Sequence, residues 1–263
     1  LLEGDSLIRI TEVLESRPYV DMTLEALRLF GIKVEEMKQN ILTAHCSLLT
    51  APSFRIPGSQ TYISPKNVQA EGDWSNAAFW LSAGAIGAGS ISCTGLNPQS
   101  RQGDKAIAAL LARFGATVSY EHDNVTVSPG ALRGIEIDAG NTPDLVPVLA
   151  AVASVAEGET VIRNAGRLRI KESDRLRTVA VCLSSLGADI AETEDGLIIH
   201  GKKTLCGGET ESFGDHRIAM TAAVLSAACT GQVVINNAEA VRKSYPSFFE
   251  DFTNALGGVW KEG

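Results

Sequence analysis

An α/β protein built from a repeated module of about seventy residues is what the sequence predicts, on three observations. One amphipathic helix pattern recurs four times and closes each time on a glycine, Gly31, Gly115, Gly187 and Gly257, at intervals of 84, 72 and 70 residues. A second helix type, apolar and rich in alanine, has its starts marked by Asp73, Asp144 and Asp215, each 71 residues after the last. Short segments enriched in β-branched residues fill the gaps, so the unit reads β-α-β-α-β-β.

Taken in order, the opening LLEGDSLIRITEV starts on an apolar pair and reads as strand-like. It carries no initiator Met, and the chain is therefore expected to begin inside a longer protein. SRPYVDMTLEALRLFGI, from Ser16, is the first amphipathic helix, with apolar residues at helical spacing and a Phe-Gly close suited to a C-cap. ILTAHCSLL and TYISP follow as strands, and a linker is expected from Val68 to Glu71. EGDWSNAAFWLSAGAIGAG is the first buried helix, capped at its start and apolar almost throughout. SISCTGL is a strand, SRQGDKAIAALLARFGATV an amphipathic helix and TVSYEHDNVTVS a hairpin. The next unit brings buried helix NTPDLVPVLAAVASVAEG, strand TVIRNAG, amphipathic helix KESDRLRTVAVCLSSLGADI and strand LIIHG. The last brings buried helix FGDHRIAMTAAVLSAACTG, strand QVVINNA and amphipathic helix SYPSFFEDFTNALGGVW. Residues 1–70 are thus expected to be the C-terminal remnant of a first domain, its last partial module, and residues 71–263 a complete three-module domain.

Composition narrows the function. The chain is 44% hydrophobic and 21% charged, as in an ordinary globular protein, and its net charge of −8 argues against nucleic acid as the main partner. Any anion site must be local. Cys46, Cys93, Cys182, Cys206 and Cys229 form no CxxC pair, an odd count that suits reduced thiols in a cytoplasm. No metal site and no membrane span are expected, because the apolar stretches are too short to cross a bilayer.

The charged residues gather in a few places. RLRIKESDRLR packs Arg167, Arg169, Lys171, Glu172, Asp174, Arg175 and Arg177 around an expected strand-to-helix junction. Such alternation can simply form a solvated helix face. Alternatively, Lys171 stands at the helix start, where the dipole disfavours a cation, and Glu172 shares a face with Arg175; an anionic ligand between them would account for both. Asp215, His216 and Arg217 open a helix with no other charge through Gly231, either as a cap with two bystanders or as part of a site. Asp144 reads as a cap or a base, Lys243 as an exposed cation before a helix, and Ser16 and Tyr19 as a cap and a core ring. Parallel helices whose first turns converge would aim free N–H groups and about half a positive charge each into one cleft, which lets an acidic protein bind phosphates.

The module and the motifs SRPYVDMTL, EGDWSNAAFWL, RLRIKESDRL, GDHRIAM and RKSYPSFFEDF, in this order and spacing, resemble the enolpyruvyl transferases, and within them the 5-enolpyruvylshikimate-3-phosphate synthase family. The resemblance covers nearly the whole chain. It implies two domains of three modules each, with pseudo-threefold symmetry, and transfer of the enolpyruvyl group from phosphoenolpyruvate to the 5-hydroxyl of shikimate 3-phosphate without a cofactor. On this resemblance Asp144 accepts the hydroxyl proton, Glu172 serves proton transfer at the methylene carbon, and Lys243 reaches the phosphate of phosphoenolpyruvate. Arg175 and Arg217 clamp its carboxylate, with Asp215 and His216 bordering the leaving-group side. Ser16, Tyr19, Arg167, Lys171 and Asp144 contact shikimate 3-phosphate. A monomer that needs a missing N-terminal domain as its partner is implied, because the family's Lys-Ser, Gly-Asn-Ala-Gly-Thr and Ser-Ser-Gln sites have no match here; the chain alone is expected to be inactive. The alternatives are a UDP-N-acetylglucosamine enolpyruvyl transferase and a folded fragment without catalysis.

Overall fold

The computed structural model describes residues 2–42, 48–87 and 89–257. Cys46 and the middle of the ILTAHCSLL segment lie outside them. The chain divides into two compact units, one of Leu1–Glu71 with Arg101–Gly103, the other of Gly72–Ser100 with Asp104–Gly263.

In the first unit, β1 (Ser6–Arg9), β2 (Glu35–Leu42) and β3 (Leu48–Ile56) form an antiparallel sheet in the order β1-β3-β2, with helix α1 (Arg17–Leu29) between the first two strands in sequence. Gly31 takes a positive φ of 79° just after α1, as the Phe-Gly close predicts. The expected strand TYISP is irregular instead: Ile63 N–H donates to the carbonyl of Phe30 at the end of α1, and Pro65 offers no N–H to a ladder.

The second unit holds α2 (Trp74–Ile86), β4 (Ile91–Cys93), α3 (Ala106–Phe114), β5 (Thr117–Glu121) and β6 (Asn124–Ser128). Then come β7 (Glu136–Asp138), α4 (Val146–Ala153), β8 (Glu159–Arg163), α5 (Arg175–Ser185), β9 (Asp189–Glu192) and β10 (Leu197–His200). The last group is β11 (Gly208–Glu211), α6 (His216–Ser226), β12 (Val233–Asn236) and α7 (Phe248–Leu256). The run β7-α4-β8-α5-β9-β10 displays the whole β-α-β-α-β-β order. The group before it follows the same order after its leading strand, and the group after it follows the order to its second helix among the described residues.

Each repeat has its own sheet: β4-β6-β5, β7-β8-β10-β9 and β11-β12. The pairs β7·β8 and β11·β12 are parallel, so α4 and α6 are crossover helices, buried because a crossover must cover its sheet. Ile162 on β8 pairs with Ile137 and Leu197 on its two neighbours, and all three are buried. Helices α2, α4 and α6 pack against one another in pairs, and every residue of α4 is buried. Their alanines allow this close approach. The outer helices bury one face, as with Ile107, Leu110, Leu111 and Phe114 on α3.

The helix starts show what the 71-residue spacing left open. Asp73 caps α2 by accepting from Ser75 and Asn76 N–H, and Asp215 caps α6 by accepting from Arg217 N–H. Asp144 is not a cap: it sits inside a 3₁₀ turn, Pro143–Leu145, that leads into α4. Its carboxylate is used elsewhere.

Leu149, fully buried on α4, tests the three-helix core. Leu149→Ala is expected to cost about 2–5 kcal/mol in urea unfolding followed by circular dichroism. A loss below about 1 kcal/mol would mean that α4 is not packed as described.

Candidate active site

Arg175 is the first residue of α5, where the helix dipole disfavours a cation, and it is only 1% exposed. The sequence placed the start of this helix at Lys171, but Asp174 caps it, so Lys171, Glu172 and Ser173 lie in the bend before it. Glu172 and Arg175 therefore meet across a turn rather than along a helix face.

The guanidinium of Arg175 has carboxylates on several sides. Its Nε donates to Asp215 Oδ2 at 2.8 Å and its Nη2 to Asp215 Oδ1 at 3.2 Å. Its Nη1 donates to Asp144 Oδ1 at 2.9 Å, and its Nη2 pairs with Glu172 Oε2 at 2.6 Å. Burial works against this charge, yet bonding to Asp215 and the charges of Asp144 and Glu172 outweigh it and raise the Arg175 pKa.

The other cations attach to the same carboxylates. Lys171 Nζ lies 3.5 Å from Asp144 Oδ1, Arg217 Nη2 lies 3.4 Å from Asp144 Oδ2, and Arg217 Nη1 donates to the Asp144 carbonyl at 3.3 Å. Lys243, at the end of the 3₁₀ turn Ala238–Lys243, has its Nζ 3.4 Å from Glu172 Oε1 and is the most exposed of the set. Asp144, Lys171, Glu172, Arg175, Asp215, Arg217 and Lys243 thus form one connected cluster at the starts of α4, α5 and α6. The charged motifs meet in one ion-pair cluster, and the cap is present too: Asp215 serves Arg217 N–H and Arg175 together.

Burial would push the Asp215 carboxyl up, but Arg175, the Arg217 N–H and the Ser173 hydroxyl hold it below the ordinary carboxylate range. Glu172 also lies below it, since its own backbone N–H and the charges of Arg175 and Lys243 outweigh burial. His216 is buried, its Nδ1 has no hydrogen-bond partner and stands 3.8 Å from Asp215 Oδ1, and burial followed by the charge of Arg217 lowers its pKa.

The remaining expected residues fall elsewhere. Arg167 is exposed on the 3₁₀ turn Gly166–Ile170. Ser16 and Tyr19 belong to the first unit, where Ser16 holds the N-cap position of α1 without a capping side-chain bond and Tyr19 is 41% exposed, so it is not a core ring. Arg169 fits the plain reading: it binds Asp174, Glu192 and the carbonyls of Thr193 and Glu194. Sequence reasoning missed Ser173, which donates to Asp215 Oδ2 at 3.0 Å, and Asp104, which accepts from Ser75 at 2.5 Å. Asp104 sits in an amphipathic-helix motif, and only its near-complete burial marks it. Among the described residues no His, Cys, Asp and Glu group has the arrangement to hold a metal, and no helix is long and apolar enough to cross a membrane.

Residues 1–252 match the family model described as EPSP synthase (3-phosphoshikimate 1-carboxyvinyltransferase). The chain is 47% identical over 258 residues to a 3-phosphoshikimate 1-carboxyvinyltransferase of Clostridium kluyveri, covering 98% of this chain and 57% of the relative. It is 46% identical to the protein of that name from Clostridium acetobutylicum, covering 100% of this chain and 58% of the relative. The chain therefore spans less than two thirds of the length of these relatives. An EPSP synthase from Acinetobacter baumannii superposes with a TM-score of 0.77 at 29% identity, over 97% of this chain and 57% of that one. The enolpyruvyl transferase NikO from Streptomyces tendae shares the fold, with a TM-score of 0.72 at 22% identity over 98% of this chain and 56% of that one.

Removing Asp215 would take two hydrogen bonds from a buried guanidinium and uncap α6. Asp215→Ala is expected to cost about 3–5 kcal/mol in denaturant unfolding, against less than about 1 kcal/mol for Glu192→Ala at the exposed Arg169 network. Because Asp215 is held below its ordinary value of 3.8, its contribution is whole above that pH and is lost as pH falls through the lower folded value. An Asp215→Ala chain as stable as the parent at neutral pH would overturn this account.

Proposed function

We propose, from the premise that this chain belongs to the EPSP synthase (3-phosphoshikimate 1-carboxyvinyltransferase) family, that the cluster is the part of an active site that transfers an enolpyruvyl group from phosphoenolpyruvate to the 5-hydroxyl of shikimate 3-phosphate. The observation that carries this reading is Asp144: a nearly buried carboxylate bracketed by Arg175, Lys171 and Arg217 rather than used as a helix cap. We infer that it takes a hydroxyl proton while cations beside it hold anionic groups.

In the proposed sequence the hydroxyl oxygen bonds to C2 of phosphoenolpyruvate as its proton passes to Asp144. The double-bond electrons take a proton at the methylene carbon, with Glu172 as the proton carrier. The tetrahedral intermediate then returns a methyl proton as the C2–O bond to phosphate breaks, leaving the enol ether and free phosphate. Arg217 and Arg175 hold the carboxylate. Since Arg175 is enclosed, an incoming carboxylate reaches it by displacing Glu172, and that exchange raises the proton affinity of Glu172. Lys243 neutralises the departing phosphate, and Lys171 and Arg167 serve the shikimate side. Residues 1–70 are read as the tail of the first domain and residues 71–263 as the second, and roles for Ser16 and Tyr19 toward shikimate 3-phosphate rest on the family resemblance alone.

The 263 residues alone are proposed to turn over negligibly, because the relatives carry further sequence and orientation of both substrates supplies much of the rate. Phosphate release from the two substrates is expected to be at background for the isolated chain and to appear when it is joined to the N-terminal portion of a relative. In that joined protein Asp144→Asn should lower kcat about 10²–10⁴-fold. A joined protein that folds but releases no phosphate, or an Asp144→Asn variant that keeps its kcat, would refute the reading.

A further inference from the structure

Ser173, half-buried, places a hydroxyl between Glu172 and Asp174 in the bend before α5. Its Oγ lies 3.0 Å from Asp215 Oδ2 and 3.1 Å from Thr178 Oγ1. An ionised carboxylate only accepts, so the single Ser173 proton goes to Asp215, and the Thr178 hydroxyl in turn donates to Ser173. Thr178 is buried on the first turn of α5. The two hydroxyls thus form a short chain from α5 to the carboxylate that caps α6, and each donor strengthens the next.

The same Oδ2 accepts from Arg175 Nε at 2.8 Å, and Arg175 Nη2 returns to Glu172 Oε2 at 2.6 Å. Glu172 and Ser173 are neighbours in the chain, so the contacts close a ring from Ser173 to Asp215, to Arg175 and back to Glu172. In this ring Ser173 is the short link that holds the backbone of the bend against α6. Asp174, which caps α5 and pairs with Arg169 at 3.0 Å, anchors the far end of the bend separately. Lys171 and Glu172 reach the cluster through flexible side chains, and their pairs with Asp144 and Lys243 are long, at 3.5 Å and 3.4 Å. A fixed backbone beneath them is what keeps the shorter Glu172–Arg175 pair in place.

We infer that Ser173, backed by Thr178, is a positioning residue: its hydroxyl fixes the Lys171–Glu172 bend on Asp215 and so aims the Glu172 carboxyl at Arg175. The inference rests on the proposed function for its bearing on proton transfer, while its geometric content concerns this chain alone. Ser173→Ala removes the link and leaves the Arg175 bonds to Asp215 and Asp144, so the guanidinium keeps its place and the bend is released.

The test is an NMR titration of the Glu172 carboxyl carbon in the 263-residue chain labelled at glutamate. It compares the parent with Ser173→Ala, Ser173→Thr, Thr178→Val and the double variant of Ser173→Ala with Thr178→Val. Burial and the charge of Asp215 push the Glu172 carboxyl up, and its own backbone N–H, Arg175 and Lys243 outweigh them. Release of the bend in Ser173→Ala is expected to raise the midpoint toward the ordinary value by about half a pH unit, roughly a threefold gain in proton affinity. Ser173→Thr should keep the parent midpoint, and Thr178→Val should raise it in the parent but add nothing beside Ser173→Ala. An unmoved midpoint in Ser173→Ala, a Ser173→Thr variant that behaves like it, or equal Thr178→Val shifts in both backgrounds would overturn the inference. Ser173→Cys, whose thiol is a weak donor, is expected to match Ser173→Ala and takes its place should that variant not fold. In the joined protein Ser173→Ala should lower kcat about tenfold and leave the KM for phosphoenolpyruvate within about twofold, and Ser173→Thr should restore kcat. An unchanged kcat there would overturn the positioning role. A joined protein without phosphate release would defeat the functional reading, and the titration would still decide this inference.

Discussion

A guanidinium with 1% exposure cannot stay charged without partners, and most of the site's geometry follows from meeting that need at Arg175. Asp215, 40 residues later in sequence, takes two of its N–H groups, and Asp144, 31 residues earlier, takes another. The bend before α5 adds Glu172. One side chain therefore ties the start of α5 to the starts of α4 and α6. Such a buried network contributes less to net stability than its short distances suggest, since each ion first loses its hydration; what it fixes is where the chain segments stand.

The apolar helices make that placement possible. Helices α2, α4 and α6 bury most of their residues and carry no charge through their middles, so charge appears only where they begin. Their two parallel crossovers put these beginnings at the same end of the strands, the place where α/β folds leave a crevice for ligands. Free N–H groups at those starts add positive potential without adding a titratable group. A chain of net charge −8 can in this way hold a local field that favours anions.

Much of this was legible from periodicity alone. The four glycines and three aspartates gave the repeat, and Gly31, Gly115, Gly187 and Gly257 all take the positive φ that a helix close requires. The short strands β7, β9 and β11 were not legible, because EID, DIAE and GETE are too brief and too acidic to stand out; their partners, not their propensities, make them strands. The charged motifs marked where the ion-pair cluster lies but not which residue is central. Arg169 and Arg175 look alike in the sequence, yet one faces solvent carboxylates and the other is enclosed, a difference set by Asp144 and Asp215 from distant segments. Asp144 itself shares its spacing with two true caps, and only the prolines at 143 and 147 hint that its turn differs.

On the proposed function, the charge count would let the cluster admit anions without collapsing when they are absent. Lys171, Arg175, Arg217 and Lys243 face Asp144, Glu172 and Asp215, an excess of only one positive charge. With the charges nearly balanced, an arriving anion wins cations only by displacing a carboxylate from them, and each displaced carboxylate gains affinity for a proton. On the proposed function, anion capture and proton transfer would then be coupled by the same ion pairs. A site with free cations would bind anions more tightly but would leave Glu172 and Asp144 as they were, so on the proposed function the pairing that weakens binding would also ready these carboxylates for proton transfer.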